Sequence, residues 1–429
     1  MSGRFAGSAD PRSRADGLGW VCRAVFGDAR IALTVGGAPP AGHRAVARYA
    51  VVPSLSRPRF LLPLGASRVT AASLLAYNAL RPPRVRAVRA ALGGLSRLGA
   101  AGPAFPTLTV SVPAGTCPAD VVLAARLALD LGGAPLHAAC GVRPPDPNHK
   151  PTLQLFAADG RPRGYAKIGW NGATRALVAA EAAALRALGA LGGAPGHPVT
   201  PRLLTEVHWS GQVVAVVEPL PPRVRGLPVT DPPSAEALLA VARRARPPAA
   251  PRPLAGSPFL SRLAAEASRA ASADPAGARA IAGVADLERR HGDTAVEFGH
   301  WHGDWVPWNL GRHAGRLVAW DWEHSGADVP LGLDLAHDAF QRALVLRGEP
   351  AAAAARAVDT QLDRYGGRLG LGPAQRRLVA DAYLLELWLR TWRLADAGAG
   401  WNAALHPALL QVMAERSGRI RTYRHADGR

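Results

Sequence analysis

Lysine is nearly missing from this chain. Of its 51 basic residues 49 are arginine, and lysine stands only at Lys150 and Lys167. Isoleucine is scarce too, while alanine, glycine and proline abound, a bias toward GC-encoded residues that strips most of the composition of functional meaning. It makes the two lysines conspicuous, because arginine can replace lysine as a surface charge but not as a compact ammonium. Cysteine is the next shortage. Cys22, Cys117 and Cys140 show no metal-ligand spacing and cannot all pair, which excludes a disulfide framework and makes a reducing cytoplasm the expected setting. No run reaches the roughly 18 apolar residues of a membrane span. The opening MSGRFAGSADPRSRADG lacks the apolar core of a signal peptide. A soluble, internal protein with no membrane partner is expected.

What is present is length and positive charge. A chain of 429 residues can hold two or three domains with real cores. The net charge of +19 is uneven, with 16 arginines against five acids in residues 1–130. Such a stretch could attract nucleic acid, a phosphorylated ligand or a membrane surface. A solvated surface written in arginine is the plainer reading, and the absence of a nucleic-acid motif or aromatic platform argues against nucleic acid.

In chain order, residues 1–18 read as a disordered tail and 19–135 as an α+β module to which no chemistry can be assigned. Its strand-like runs are Ile31–Val35, Tyr49–Val52, Phe60–Leu64 and Thr107–Val112, and helical runs lie near Ala71–Leu80, Arg84–Leu98 and Ala119–Leu131. A sharper pattern begins near Cys140. Thr152–Phe156 and Gly164–Trp170 flank Asp159-Gly160, a strong hairpin signal. Lys167 shares a strand face with Tyr165 and Gly169. In the following helix, Ala173–Leu191, Glu181 falls in the stripe Leu177, Leu185, Leu188, so it must find a partner or reach water at the stripe's edge. Lys167, fourteen residues earlier, is the candidate partner. A second hairpin is expected around Ser210-Gly211, ending in Glu218-Pro219-Leu220-Pro221-Pro222, a stiff connector. Residues 136–222 thus form a strand-rich lobe with its connector, and 223–429 a mainly helical lobe.

The chemistry concentrates in HWHGDWVPWNLGRHAGRLVAWD, residues 300–321. Asp304, Asn309 and Asp321 are spaced by five and then twelve residues. A hairpin turning near Gly315 would set Asn309 beside Asp321, with Asp304 on the loop that enters it. Two oxygen ligands next to an isolated carboxylate suit a magnesium ion holding a phosphorylated ligand.

This arrangement resembles the protein-kinase-like phosphotransferases, and most closely the aminoglycoside phosphotransferase family. The resemblance rests on His302-Gly303-Asp304 with Pro307 and Asn309, on Trp320-Asp321-Trp322-Glu323, and on Tyr165-Ala166-Lys167-Ile168 with Glu181, and it covers roughly residues 138–395. It implies an α+β, bilobal kinase-like fold with a strand-rich N-lobe, a mainly helical C-lobe and the additional N-terminal module. It further implies a Mg²⁺-dependent transfer of the γ-phosphoryl group from ATP, with GTP as the open alternative, to a hydroxyl of a small metabolite, sugar or antibiotic. Lys167 would grip nucleotide phosphates, held by Glu181. Asp304 would be the base, and Asn309 and Asp321 would hold the metal. Glu218 to Leu220 would meet the adenine.

One departure stands out. Where kinases carry a glycine-rich loop, this chain has Gly141-Val142-Arg143-Pro144-Pro145-Asp146-Pro147-Asn148-His149-Lys150-Pro151, whose prolines cannot donate N–H groups to phosphate. Asn148 and Lys150 are then expected to reach phosphate by side chain, unless the segment is only a rigid surface turn. The next helix, carrying Asp334-Leu335-Ala336, starts about a dozen residues after Asp321, which leaves little room to dock a peptide and favours a small acceptor. Two rivals remain. His300-Trp301-His302-Gly303-Asp304 superficially matches a binuclear metallohydrolase run, though Trp305 follows where a ligand is needed. A catalytically inactive kinase fold serving as a binding or regulatory module is the other. Of the tryptophans, Trp320 and Trp322 read as core, and Trp305 and Trp308 as candidates to line an acceptor pocket.

Overall fold

The computed structural model describes residues 15–418 apart from 77–79, 100, 192, 194–195 and 245. The expected tail therefore lies outside the described residues as far as residue 14, and from Gly17 the chain is helical. It divides into two compact units, Met1–Ala182 with Pro201–Arg225, and Ala183–Thr200 with Gly226–Arg429.

In the first unit, Asp16 caps α1 (Gly17–Val25) by accepting from the Gly19 N–H at 3.1 Å. There follow β1 (Ala32–Val35), β2 (His43–Val52), β3 (Phe60–Pro63), α2 (Ser67–Leu75), α3 (Pro83–Arg97), the single turn α4 (Ala101–Ala104), β4 (Thr107–Pro113) and α5 (Leu123–Asp130). Next come β5 (His137–Gly141), β6 (Thr152–Phe156), β7 (Pro162–Gly169), α6 (Gly172–Gly189), β8 (Leu203–Trp209) and β9 (Gln212–Val217). All nine strands form one antiparallel sheet in the order β1-β4-β2-β3-β5-β6-β7-β9-β8. The join is β3 to β5, with Phe60 opposite Gly141 and Leu61 opposite Cys140. One buried cluster likewise runs across that join, from Leu18, Val21, Val51, Leu61, Leu108 and Val110 to Leu153, Leu155, Ala166, Ile168, Val214 and Val216. Each such Val, Leu or Ile contributes roughly 1.5–3 kcal/mol by leaving water, so strands on both sides of residue 135 depend on the same interior. Both expected hairpins form. Gly160 turns the first at φ +86°, and Ser210 and Gly211 turn the second with φ of 47° and 75°, the mirror-image turn whose twist matches the strands.

The second unit is mainly helical: α7 (Ala235–Arg243), α8 (Pro258–Ala273), α9 (Ala276–His291), α10 (Leu333–Gln341), α11 (Ala351–Tyr365), α12 (Pro373–Asp396) and α13 (Leu405–Arg416). Ser234 and Ser257 begin α7 and α8 by accepting from Ala237 and Leu260 N–H groups. Between α9 and α10 the strand Phe298–Trp301 pairs with Gly326–Pro330, and Leu310–His313 pairs with Arg316–Ala319. α12 is buried from Leu378 to Arg390, and its Asp381 accepts from Arg290 at 2.5 Å and Arg416 at 2.7 Å and lies 2.9 Å from His291 Nε2. Arg416 also holds Asp359, so this network ties α9, α11, α12 and α13 together. Among the described residues no helix is long and apolar enough to cross a membrane.

Candidate active site

The hairpin at 310–319 fixes the first part of the site. Ala314 and Gly315 turn it with φ of 48° and 77°, pairing Leu310 with Ala319. The ladder runs one step further, the Trp320 N–H donating to the Asn309 carbonyl at 3.1 Å, so Asn309 and Asp321 emerge together at its open end. Asp321 itself is in the left-handed region at φ 64°, a conformation a non-glycine residue takes only when its surroundings demand it.

Asp304 is bound on both carboxylate oxygens. Asn309 Nδ2 donates to Oδ2 at 2.7 Å and to the Asp304 carbonyl at 3.1 Å, while His337 Nε2 lies 2.9 Å from Oδ1. His337 is fully buried, and the Tyr383 hydroxyl is 3.1 Å from its Nδ1. A carboxylate can only accept, so the His337 proton sits on Nε2 and Nδ1 accepts from Tyr383, whose hydroxyl burial keeps protonated. Burial alone would push the Asp304 carboxyl up, but the hydrogen bond from His337, with the nearby positive charge of Arg390, outweighs it and holds the group well below the usual carboxylate range. Asp304 is an ionised carboxylate, 28 % exposed and held by partners on both oxygens.

The loop ahead of it is built as firmly. Asp334, at the start of α10, accepts from the backbone N–H groups of His302 at 2.7 Å and Gly303 at 2.9 Å, and burial pushes its carboxyl up to about 7 against those two bonds. Arg390 donates to the Gly303 carbonyl at 2.6 Å. Gly303 has φ +79°, and a Cβ there would come within 2.0 Å of the His324 carbonyl oxygen, so no other residue fits. His302 accepts the Asp304 N–H on Nδ1 at 3.2 Å and directs Nε2 to the Trp320 carbonyl at 3.0 Å, joining the loop to the hairpin. Both of its nitrogens are thereby spent on backbone, which leaves no lone pair for a metal and argues against the metallohydrolase reading.

In the first unit, Lys167 Nζ donates to both oxygens of Glu181 at 2.7 Å. Glu181 is 1 % exposed, in the apolar stripe of α6 rather than at its edge. Desolvating that carboxylate is tolerable only because the ammonium meets it squarely. The proline-bearing segment forms a tight turn in which the Asn148 N–H donates to the Asp146 carboxylate at 2.8 Å, with Asn148 exposed and Lys150 half-buried. After β9, the Glu218 N–H donates to the Arg202 carbonyl at 2.8 Å and its carboxylate pairs with the Arg202 guanidinium, while Leu220 is half-buried.

Sequence reasoning passed over His337, Asp334, Tyr383 and Arg390. The available signal was polar side chains on helices that otherwise bury apolar faces: Asp334 and His337 three apart on α10, Tyr383 and Arg390 seven apart on α12. It also misplaced Trp305, which is 1 % exposed and packs edge-on against His302 at 5.8 Å. Trp305 is core, not pocket lining, whereas Trp308 is 41 % exposed and Trp322 is fully buried.

The site thus holds an anchored, ionised carboxylate bonded to a carboxamide and a second carboxylate at the hairpin's open end, in a chain that also has a buried lysine–glutamate pair. No protein-family model matches the chain, and no curated protein matches it in sequence. Among solved structures the chain is similar to small-molecule phosphotransferases and kinases. A thermostable mutant of aminoglycoside phosphotransferase APH(4)-Ia in ternary complex with ADP and hygromycin B matches with a TM-score of 0.44 at 14 % identity, over 69 % of this chain and 98 % of that one. Choline kinase LicA from Streptococcus pneumoniae matches with 0.41 at 16 %, over 63 % and 90 %. Macrolide 2'-phosphotransferase type I matches with 0.41 at 17 %, over 67 % and 94 %.

Proposed function

We propose that the protein is a small-molecule kinase of the protein-kinase-like phosphotransferase class, transferring the γ-phosphoryl group of ATP or GTP to an acceptor hydroxyl. The observation that carries this reading is the Asp304 carboxylate, ionised by His337 and held by Asn309. Phosphoryl transfer asks for positioning and charge neutralisation more than covalent chemistry. Asp304 orients the acceptor hydroxyl and takes its proton as the oxygen bonds to phosphorus and the bond to the departing nucleotide diphosphate breaks. With its basicity depressed, it receives the proton late, when the hydroxyl has become acidic by attacking. Lys167, steadied by Glu181, neutralises the α and β phosphates, and Asn148 and Lys150 supply side-chain contacts where a glycine-rich loop would use backbone. Glu218 to Leu220 would meet the adenine, with the Glu218 N–H already committed to the Arg202 carbonyl.

Asn309 and Asp321 fit Mg²⁺ on their chemistry. The donor set is oxygen only, and the two bonds from Asn309 Nδ2 to Asp304 fix the amide so that its oxygen is the atom turned away as a ligand. The ion would supply charge neutralisation at the nucleotide phosphates. A small acceptor is supported by the stretch after Asp321. A tight turn at Trp322–His324 and the paired strand Gly326–Pro330 consume it before α10 begins, leaving no free segment to dock a peptide.

The test is a screen of hydroxylated metabolites, sugars and aminoglycosides for nucleotide-dependent phosphorylation, with Asp304→Asn as control. The variant is expected to lose about 10²–10⁴-fold in kcat. Product formed equally by both proteins would remove Asp304 from the mechanism.

A further inference from the structure

The proline-bearing segment is held by more than its own strands. Val142 N–H donates to the Arg59 carbonyl on the N-terminal side at 2.8 Å, and Ile168 N–H to the Pro151 carbonyl at 2.9 Å. Asn171 Nδ2 donates to the Pro147 carbonyl at 2.8 Å and Trp170 Nε1 to the His149 carbonyl at 2.9 Å. Against the other side lies α1. Gly17 sits so close that a Cβ on it would fall 2.2 Å from the Arg143 carbonyl oxygen. Three residues on, the buried Trp20 places its ring 5.5 Å from His149 and 5.8 Å edge-on from Trp170. Burial pushes His149 down to about 4, so at neutral pH it packs there as an uncharged ring. A glycine-rich loop can wrap its ligand after binding. A loop containing Pro144, Pro145, Pro147 and Pro151 cannot, and its contacts must be in place beforehand.

We propose that α1 is the positioning element of the nucleotide loop, with Trp20, through His149 and Trp170, setting where Asn148 and Lys150 meet phosphate. This rests on the kinase reading and gives the N-terminal stretch a part in nucleotide binding. Trp20 is a positioning residue and touches no ligand.

The expected result for Trp20→Ala is a rise of about three- to tenfold in nucleotide KM, from loss of the aromatic contacts, with kcat and acceptor KM nearly unchanged and Trp20→Phe restoring most of the affinity. Lys150→Ala should add little further loss in the Trp20→Ala background, because both act through one loop. If Trp20→Ala does not fold, Gly17→Ala, which drives a Cβ into the Arg143 carbonyl, carries the same readout. A folded Trp20→Ala or Gly17→Ala with wild-type nucleotide KM, or fully additive losses with Lys150→Ala, overturns the inference and leaves the kinase reading intact. A wild-type protein that binds no nucleotide overturns both.

Discussion

Asp304 owes its charge state to His337. A carboxyl whose pKa is depressed stays ionised as pH falls past the ordinary carboxylate value, so the acid limb of the rate profile should not be set by Asp304 in the wild type. Replacing His337 with Leu removes the donor and lets burial push the carboxyl up. A hydrogen bond to a charged group is worth about 1.5–3 kcal/mol, or roughly one to two pH units, and the acid limb of kcat/KM should move upward by that amount. A superimposable profile would show that the bond does not govern ionisation. At this scale the sequence was legible where the chemistry is local: Asp304, Asn309 and Asp321 lie in one stretch whose spacing implies a hairpin. His337 and Tyr383 reach Asp304 only through the packing of α10 and α12, and no local spacing encodes that.

Elements were legible in proportion to their length and punctuation. The turns at Asp159-Gly160 and Ser210-Gly211, each marked by its own residues, form the two expected hairpins. The short strands Phe298–Trp301 and Gly326–Pro330 were not read, because four or five residues with polar and glycine insertions carry no period, and α13 was missed as well. The hairpin at 314–315 allows an element-scale test of opposite signs. Nothing lies within 4 Å of a Cβ on Gly315, so Gly315→Ala meets only backbone strain and should cost about 1 kcal/mol. Ala314 already bears that strain at φ 48°, and Ala314→Gly should gain a few tenths of a kcal/mol, up to about 1. Urea denaturation of both variants checks the pair, and equal signs would contradict the turn geometry.

Across the whole molecule, the N-terminal residues read as a separate module share a sheet and a core with the strands that carry Lys167. Composition could not show this, since the joining pair, Phe60 with Gly141 and Leu61 with Cys140, links segments eighty residues apart with no motif in either. A chain beginning at residue 136 would strip β5 of a neighbour and open Leu153, Leu155, Ala166 and Ile168 to water. It should fail to unfold cooperatively and should aggregate, as uncovered edges do. A sharp thermal transition for the truncated chain would contradict this.

The same join changes how long one strand holds its hydrogens. Cys140 faces Leu61 on one side and Leu153 on the other, so β5 lies in the interior of the ladder while β8 forms its rim. In deuterated buffer the Cys140 amide should exchange only with the rare opening of the whole unit, long after the amides of Leu203–Trp209 have turned over. The most slowly exchanging hydrogens of the first unit would then mark the seam where the two halves of its sheet meet.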